Sequence, residues 1–387
     1  MQAYLDCNAT TQPLPEVVDA MAACMRERWA NPSSVHRAGI EARHAMERAR
    51  EQVAGLLGCQ PRHVSFTSGG TEAAQRAILG ALAARPARPC LATSPLEHSA
   101  VRELAQSLEA RGTPVHWLRH HADGTIDLDA LDALLHDHGP TIAVLSLMWA
   151  NNETGVVQPI VEVAARCRRA GVVFHCDAVQ WVGREPTDLL ASGIDVLTAS
   201  AHKLHGPKGV GAMAIRAGAS IESILPGGPQ ELGRRAGTEN VPGIVGFGVA
   251  AEAARAWLAS QAPNAPCRSL ITGLERSILD AVPGSVINAM NAPRLWNTSS
   301  VAFPGLEAEA ILLLLSERGV AASAGAACSS GSLEPSPVLR AMGLSDPVAH
   351  GTIRLSVSRM TTTAEIDHAT RVIPECIAKL RRSGMPG

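Results

Sequence analysis

Short apolar, β-prone runs alternate with helical patterns through the first part of this chain, and that alternation restricts its fold more than any other feature. Residues 63–67 precede a helical stretch from about Thr71, residues 89–93 precede one after His98, and residues 141–149 precede one after Pro159. Strands joined through helices must run in the same direction, so the pattern predicts a mostly parallel α/β sheet wrapped by helices. Further strands are expected at 172–176, 194–199 and 210–215. Open sheets of this kind place their ligands just beyond the C-terminal strand ends, which is where the polar motifs described below fall.

A helix ending near Ala259 is followed by Ser260-Gln261-Ala262-Pro263-Asn264-Ala265-Pro266, the composition of a loop or hinge. The expected division is a large domain over 14–259 and a smaller α+β domain over 260–387 that also takes in residues 1–13. Strands near 285–288, 299–303 and 352–357, a helix over 307–317 and a last helix from Ala364 fill the second part. With 387 residues, 46% of them hydrophobic and 18% charged, the chain can bury two cores. A net charge of -2 without long single-sign blocks predicts no nucleic-acid or membrane partner. The absence of a basic, then apolar, leader predicts a cytoplasmic location. Nine cysteines without C-x-x-C spacing argue against a disulfide framework or a structural zinc site.

Ser200-Ala201-His202-Lys203-Leu204-His205-Gly206-Pro207-Lys208-Gly209 follows the apolar run 194–199, so Lys203 stands at the mouth of a buried strand. A lysine there needs a partner or a function. Pyridoxal phosphate supplies both, because its aldehyde takes the amine as an imine and its phosphate suits neighbouring hydroxyls. Asp177 ends the run 172–176, where a carboxylate can pair with a pyridinium nitrogen, or simply cap a turn. Gln180 can donate to the cofactor's phenolic oxygen, and His98, at another strand-to-helix corner, can stack on the ring and shuttle protons. In Ser68-Gly69-Gly70-Thr71-Glu72, the amides and the Thr71 hydroxyl suit a phosphate on a helix N-terminus, though the same residues also make a plain N-cap. His120, His121, His136 and His138 lack such context and are expected at the surface.

The segments EHSAV, NNETG, HCDAVQ, SAHKLHGPKGVG, GRRAGTEN and AACSSGSLEPS stand in this order. Together they resemble the cysteine desulfurases of the class V aminotransferase group, from Tyr4-Leu5-Asp6 to Asp367, with MWANNETG and AILLLLSERGV most similar to the nitrogen-fixation branch. The resemblance implies the fold type I of pyridoxal-phosphate-dependent transferases. It implies that Lys203 carries the cofactor, Asp177 its ring nitrogen, Gln180 its phenolic oxygen and His98 its stacked face. Gly70, Thr71, Ser200 and His202 would hold the phosphate, joined across a homodimer interface by Thr238, so that two active sites are shared. Asn152 and Arg354 match the ligands of the substrate carboxylate, with Asn152 also beside the cofactor, and an arginine fork pairs with both carboxylate oxygens.

Cys328 lies in a run of small residues, 323–332, with no large apolar anchor, which suits a reactive thiol better than a packed one. The resemblance makes it the nucleophile that takes sulfur from L-cysteine, releases L-alanine and hands a persulfide to an iron–sulfur scaffold or other acceptor protein. It also makes Cys328 the one candidate for a transient iron–sulfur ligand. Selenocysteine lyase or another class V transaminase or lyase is the nearest alternative, and a sulfur carrier or cluster scaffold the alternative outside enzymes. Two departures stand out: Cys7 stands where the usual LDNNATT has its first asparagine, and Gly69 replaces a cysteine found in some nitrogen-fixation members. The N-terminal segment is expected to pack beside the active site, with Cys7 having a small effect on substrate positioning.

Overall fold

The computed structural model describes residues 2–260, 265–324 and 335–384. A two-residue strand, β1 (Ala3–Tyr4), opens the chain, and the sheet that positions the polar motifs follows. It contains β2 (Val64–Thr67), β3 (Cys90–Thr93), β4 (Val115–Trp117), β5 (Ile142–Met148), β6 (Val173–Asp177), β7 (Val196–Ser200) and β8 (Gly211–Ile215). The order across its seven strands is β2-β8-β7-β6-β5-β3-β4. Strands β4, β3, β5, β6 and β7 pair in parallel, and β8 runs antiparallel between β7 and β2. The mostly parallel sheet expected from the sequence is therefore present. Every residue of β5, IAVLSLM, is buried, as both faces of a helix-covered parallel sheet require. β4 was not expected, because its three half-buried residues form a short edge with no apolar run.

The helices close at chemically legible ends. Arg37–Leu57 starts where His36 accepts from the Gly39 amide, and stops at Gly58, whose φ of 64° is left-handed. Val241–Leu258 starts at an Asn240 side chain that accepts from Gly243 N. One core beneath the sheet joins these helices to Phe66, Phe174 and Phe247.

A second core gathers around β9 (Val286–Ile287), β10 (Thr298–Ala302) and β12 (Thr352–Ser356), an antiparallel sheet in the order β12-β10-β9. The helices Ala265–Ala281, Ala308–Glu317 and Thr363–Arg382 supply the apolar faces that pack on it, the last opened by a Thr362–Glu365 capping box. Helix Ala265–Ala281 starts inside the stretch expected as loop, and residues 261–264 lie outside the described residues. Ala3 and Leu5 belong to this second core, because β1 pairs in parallel with β11 (Val320–Ala321).

From β1 the chain crosses to the large sheet. Asp6 bridges to Ser356, Thr11 donates both its amide and its hydroxyl to the His202 carbonyl at 2.9 Å, and Leu14 N donates to His205 O at 3.1 Å. His205 sits at a φ of 69°, which costs a non-glycine residue energy. The crossing segment offsets that cost, since the Thr11 hydroxyl accepts from His205 N at 2.7 Å and the Gln12 carbonyl meets His205 Nδ1 at 2.9 Å. The N-terminal segment thus lies directly on the turn that carries Lys203.

Candidate active site

A cavity of about 660 Å³ opens at the C-terminal ends of β3, β5, β6 and β7. Its lining includes Gly70, Thr71, His98, Asn152, Asp177, Gln180, Ser200, His202, Lys203 and Arg354, all of which the sequence singles out. Thr238, exposed on the turn before the helix Val241–Leu258, does not line it. Cys328 lies outside the described residues.

Lys203 Nζ donates to the carbonyls of Asn8 at 2.5 Å and Ala9 at 2.7 Å. Burial pulls its pKa down to about 7, helped by the guanidinium groups of Arg184 and Arg354 and opposed by Asp6 and Asp177. A lysine so placed is substantially a neutral amine, and therefore a nucleophile and base, near pH 7. Asp177 Oδ1 accepts from the Val179 amide at 3.0 Å. Burial raises its pKa to about 6 against the pull of that amide and of Lys203. Asp177 therefore caps the turn and also lines the cavity.

His98 Nδ1 accepts from Ala100 N at 3.1 Å and so caps the helix Ser99–Ala110. Burial, then Lys203, lowers its pKa to about 4, so the ring is neutral at pH 7 with its proton on Nε2. His202 meets Thr10 Oγ1 through Nδ1 at 3.2 Å, and burial lowers its pKa to about 4 as well. At the start of the helix Gly70–Ala83, Gly69 provides no side-chain cap, while Glu72 accepts from Ser68 N at 2.8 Å. The plain N-cap is thus half met, and the Thr71 side chain stays on the cavity wall.

Sequence reasoning missed several residues here. Glu97 is fully buried, its Oε1 accepts from Met148 N at 2.6 Å, and its Oε2 has no partner among the described residues. Burial and Asp177 push its pKa well up, so it is a neutral acid. Its place directly before His98 was the available signal. Arg184 donates to Gln180 O at 2.7 Å and reaches the Cys7 carbonyl at 3.5 Å, bracing one loop of the cavity against the N-terminal segment. Asn8 takes part through its backbone, which no side-chain pattern reveals: Gln180 Nε2 donates to its carbonyl at 3.1 Å, beside Lys203. Glu153 accepts from Ser336 Oγ at 2.5 Å, tying the 151–155 loop to the chain just before the helix Pro337–Ala341.

Arg354, on β12, forms an ion pair with Asp6 at 2.6 Å and donates to Asn152 O at 3.1 Å. Cys7 is buried, does not line the cavity, and is pushed up to about 11 by burial, so its thiol stays protonated. The eight described cysteines form no disulfide. Of the four histidines expected at the surface, His121, His136 and His138 are exposed and His120 is half-buried.

The donor set fits pyridoxal phosphate. Gln180 Oε1 and Asn152 Oδ1 are buried in the cavity without hydrogen-bond partners among the described residues, beside a buried carboxylate and a lysine. A Cβ on Gly70 would come within 2.9 Å of Val179 Cγ2, so only glycine leaves this corner open.

The family model for aminotransferase class V matches residues 3–368. The chain belongs to the aminotransferase class-V family. It is 47% identical over 378 residues to cysteine desulfurase 2 of Trichormus variabilis, covering 98% of this chain and 94% of that protein. It is also 47% identical to the cysteine desulfurase NifS of Azotobacter vinelandii, covering 98% and 93% of the two chains. Among solved structures, a NifS-like protein aligns with a TM-score of 0.90 at 35% identity, over 98% of this chain and 100% of the other. Among the described residues, no helix of this family member is long and apolar enough to cross a membrane.

Proposed function

We infer that this class-V family member is a cysteine desulfurase that uses pyridoxal phosphate. The observation that carries the reading is the half-buried Lys203 amine, poised near pH 7 in one cavity with Asp177, Gln180, His98 and Arg354. When bound, the cofactor supplies an aldehyde for amines and an electron-poor ring that holds the electrons released at a substrate Cα. Asp177 would pair with the ring nitrogen and Gln180 with the phenolic oxygen. Thr71, Ser200, His202 and the Gly70 corner would hold the phosphate, where the positive end of the helix Gly70–Ala83 favours an anion. Arg354 and Asn152 seat the carboxylate of L-cysteine, Lys203 moves the Cα proton, and neutral His98 offers Nε2–H to the reacting group.

Cys328 takes the substrate sulfur as a persulfide and L-alanine leaves, after which the sulfur passes to an iron–sulfur scaffold or another acceptor. Thr238, exposed and outside its own chain's cavity, serves the site of a second copy in a homodimer. A large domain over 14–259 and a smaller one over 260–387 with 1–13 is supported by the separate apolar clusters around the two sheets, which Leu96, Val338 and Met342 link. The resemblance to the nitrogen-fixation branch favours a cytoplasmic sulfur supply for cluster assembly.

Incubation with L-cysteine, followed by mass spectrometry, should detect alanine together with a persulfide on the peptide containing Cys328. The Cys328→Ala protein should bind cofactor and release no sulfide. Wild-type turnover in that variant overturns the mechanism.

A further inference from the structure

The N-terminal turn meets both halves of the cavity. From the small body, Arg354 Nη2 reaches Asp6 Oδ1 at 2.6 Å, while Arg354 Nη1 donates to Asn152 O at 3.1 Å. From the large body, Lys203 Nζ reaches the carbonyls of the next residues but one and two, Asn8 and Ala9. Asn8 fastens the turn in place: its Nδ2 donates to Asn152 O at 3.1 Å and to Thr298 Oγ1 at 2.9 Å, and its Oδ1 accepts from Asn297 at 2.9 Å.

We propose that Asp6 is a positioning residue of this site: its carboxylate orients the Arg354 guanidinium toward a substrate carboxylate, and the turn it begins holds the Lys203 amine. The inference rests on the desulfurase reading for its substrate, but not for its geometry. Two physical arguments support it. The Arg354 side chain is only 3% exposed, and a buried guanidinium needs a counter-charge and fixed hydrogen bonds to present one face reproducibly. The charges named around Lys203 oppose one another in pairs: Arg184 and Arg354 disfavour its ammonium form, Asp6 and then Asp177 favour it, and His98 and His202 are neutral beside it. Asp6 supplies the favourable charge that comes from outside the sheet. Tyr4 and Cys7, its titratable neighbours on the same segment, stay protonated near pH 7.

The test uses Asp6→Ala and Asp6→Glu in the full chain. With L-cysteine, Asp6→Ala should raise KM by about tenfold, the loss of one charged hydrogen bond's worth of orientation, with a smaller change in kcat. In cofactor-free protein, the pH dependence of Lys203 acetylation, read by peptide mass spectrometry, should move to lower pH in Asp6→Ala and return toward wild type in Asp6→Glu. An unchanged KM together with an unchanged labelling midpoint overturns the proposal. Should Asp6→Ala fail to fold, Asp6→Asn keeps the size and removes the charge, and the same midpoint decides. Wild-type protein that does not turn over L-cysteine defeats the desulfurase reading, while the labelling midpoint still judges Asp6.

Discussion

The wall of the cavity that carries Lys203, Asp177 and His98 grows from strand ends of one sheet, whereas the facing wall, with Asn8, Ala9 and Arg354, arrives from the N-terminal segment and β12. On the first wall, position follows from backbone pairing: β6 and β7 run in parallel register, with Asp177 opposite Thr198, so Asp177 and the Lys203 turn leave the same edge. On the second wall, position depends on side-chain and carbonyl hydrogen bonds spanning sequence separations of well over a hundred residues. The difference teaches where each kind of chemistry is kept. On the proposed desulfurase reading, the groups whose protonation must be tuned, Lys203, Asp177 and His98, sit on the sheet wall, and the substrate-seating Arg354 sits on the wall assembled by contacts.

Asp177→Asn strikes the first wall at its centre. The amide keeps the hydrogen bond to Val179 and the volume but loses the charge, so turnover of L-cysteine should fall by at least about a hundredfold with the melting temperature nearly unchanged. Steady-state kinetics beside a thermal melt measure both. A fall in turnover matched by a similar loss of stability would mean that this wall is held by its residues individually and not by the sheet.

That division also explains what the sequence disclosed. Strands β2, β3, β5, β6, β7 and β8 were legible because burial on both faces writes continuous apolar runs, and the residues at their ends inherited positions from that topology. Asn8, Ala9 and Arg184 were not. Their parts are played by backbone carbonyls or by a guanidinium aimed at one, and local patterns of side chains do not encode partners so distant in the chain. The antiparallel placement of β8 was hidden for a related reason, since direction depends on the connection and not on composition.

His175 tests how dry the first wall is. It lies within β6, with Nδ1 on Ser146 Oγ at 2.9 Å and Nε2 on Thr198 Oγ1 at 3.2 Å, and burial lowers its pKa from 6.5 to about 3. A base depressed in the folded state binds its proton only after unfolding, so acid favours the unfolded chain. Stability from this residue is therefore lost as pH falls below 6.5, at about 1.4 kcal/mol per pH unit until the folded pKa is reached. His175→Gln should flatten the pH dependence of the unfolding free energy, read from urea titrations, by that slope between those limits. Parallel curves for the two proteins would show that water reaches this position and would weaken the contrast between the walls.

Cys7→Asn probes the second wall where it should matter least. The thiol lies 4.0 Å from the Tyr4 carbonyl, next to Ser358, and only the backbone of this residue faces the site, through Arg184. An asparagine amide can donate to that carbonyl and accept from the Ser358 hydroxyl, so the buried polar group it introduces is not stranded. The turn beyond it is fixed independently by Asn8 through Thr298, Asn152 and Asn297, which keeps the Asn8 and Ala9 carbonyls under Lys203. Turnover and KM should each change by less than about threefold. A larger change in KM alone would show that the substrate wall transmits small displacements from one residue to the next. A larger change in kcat alone would show that the Lys203 amine depends on this turn as much as on the sheet.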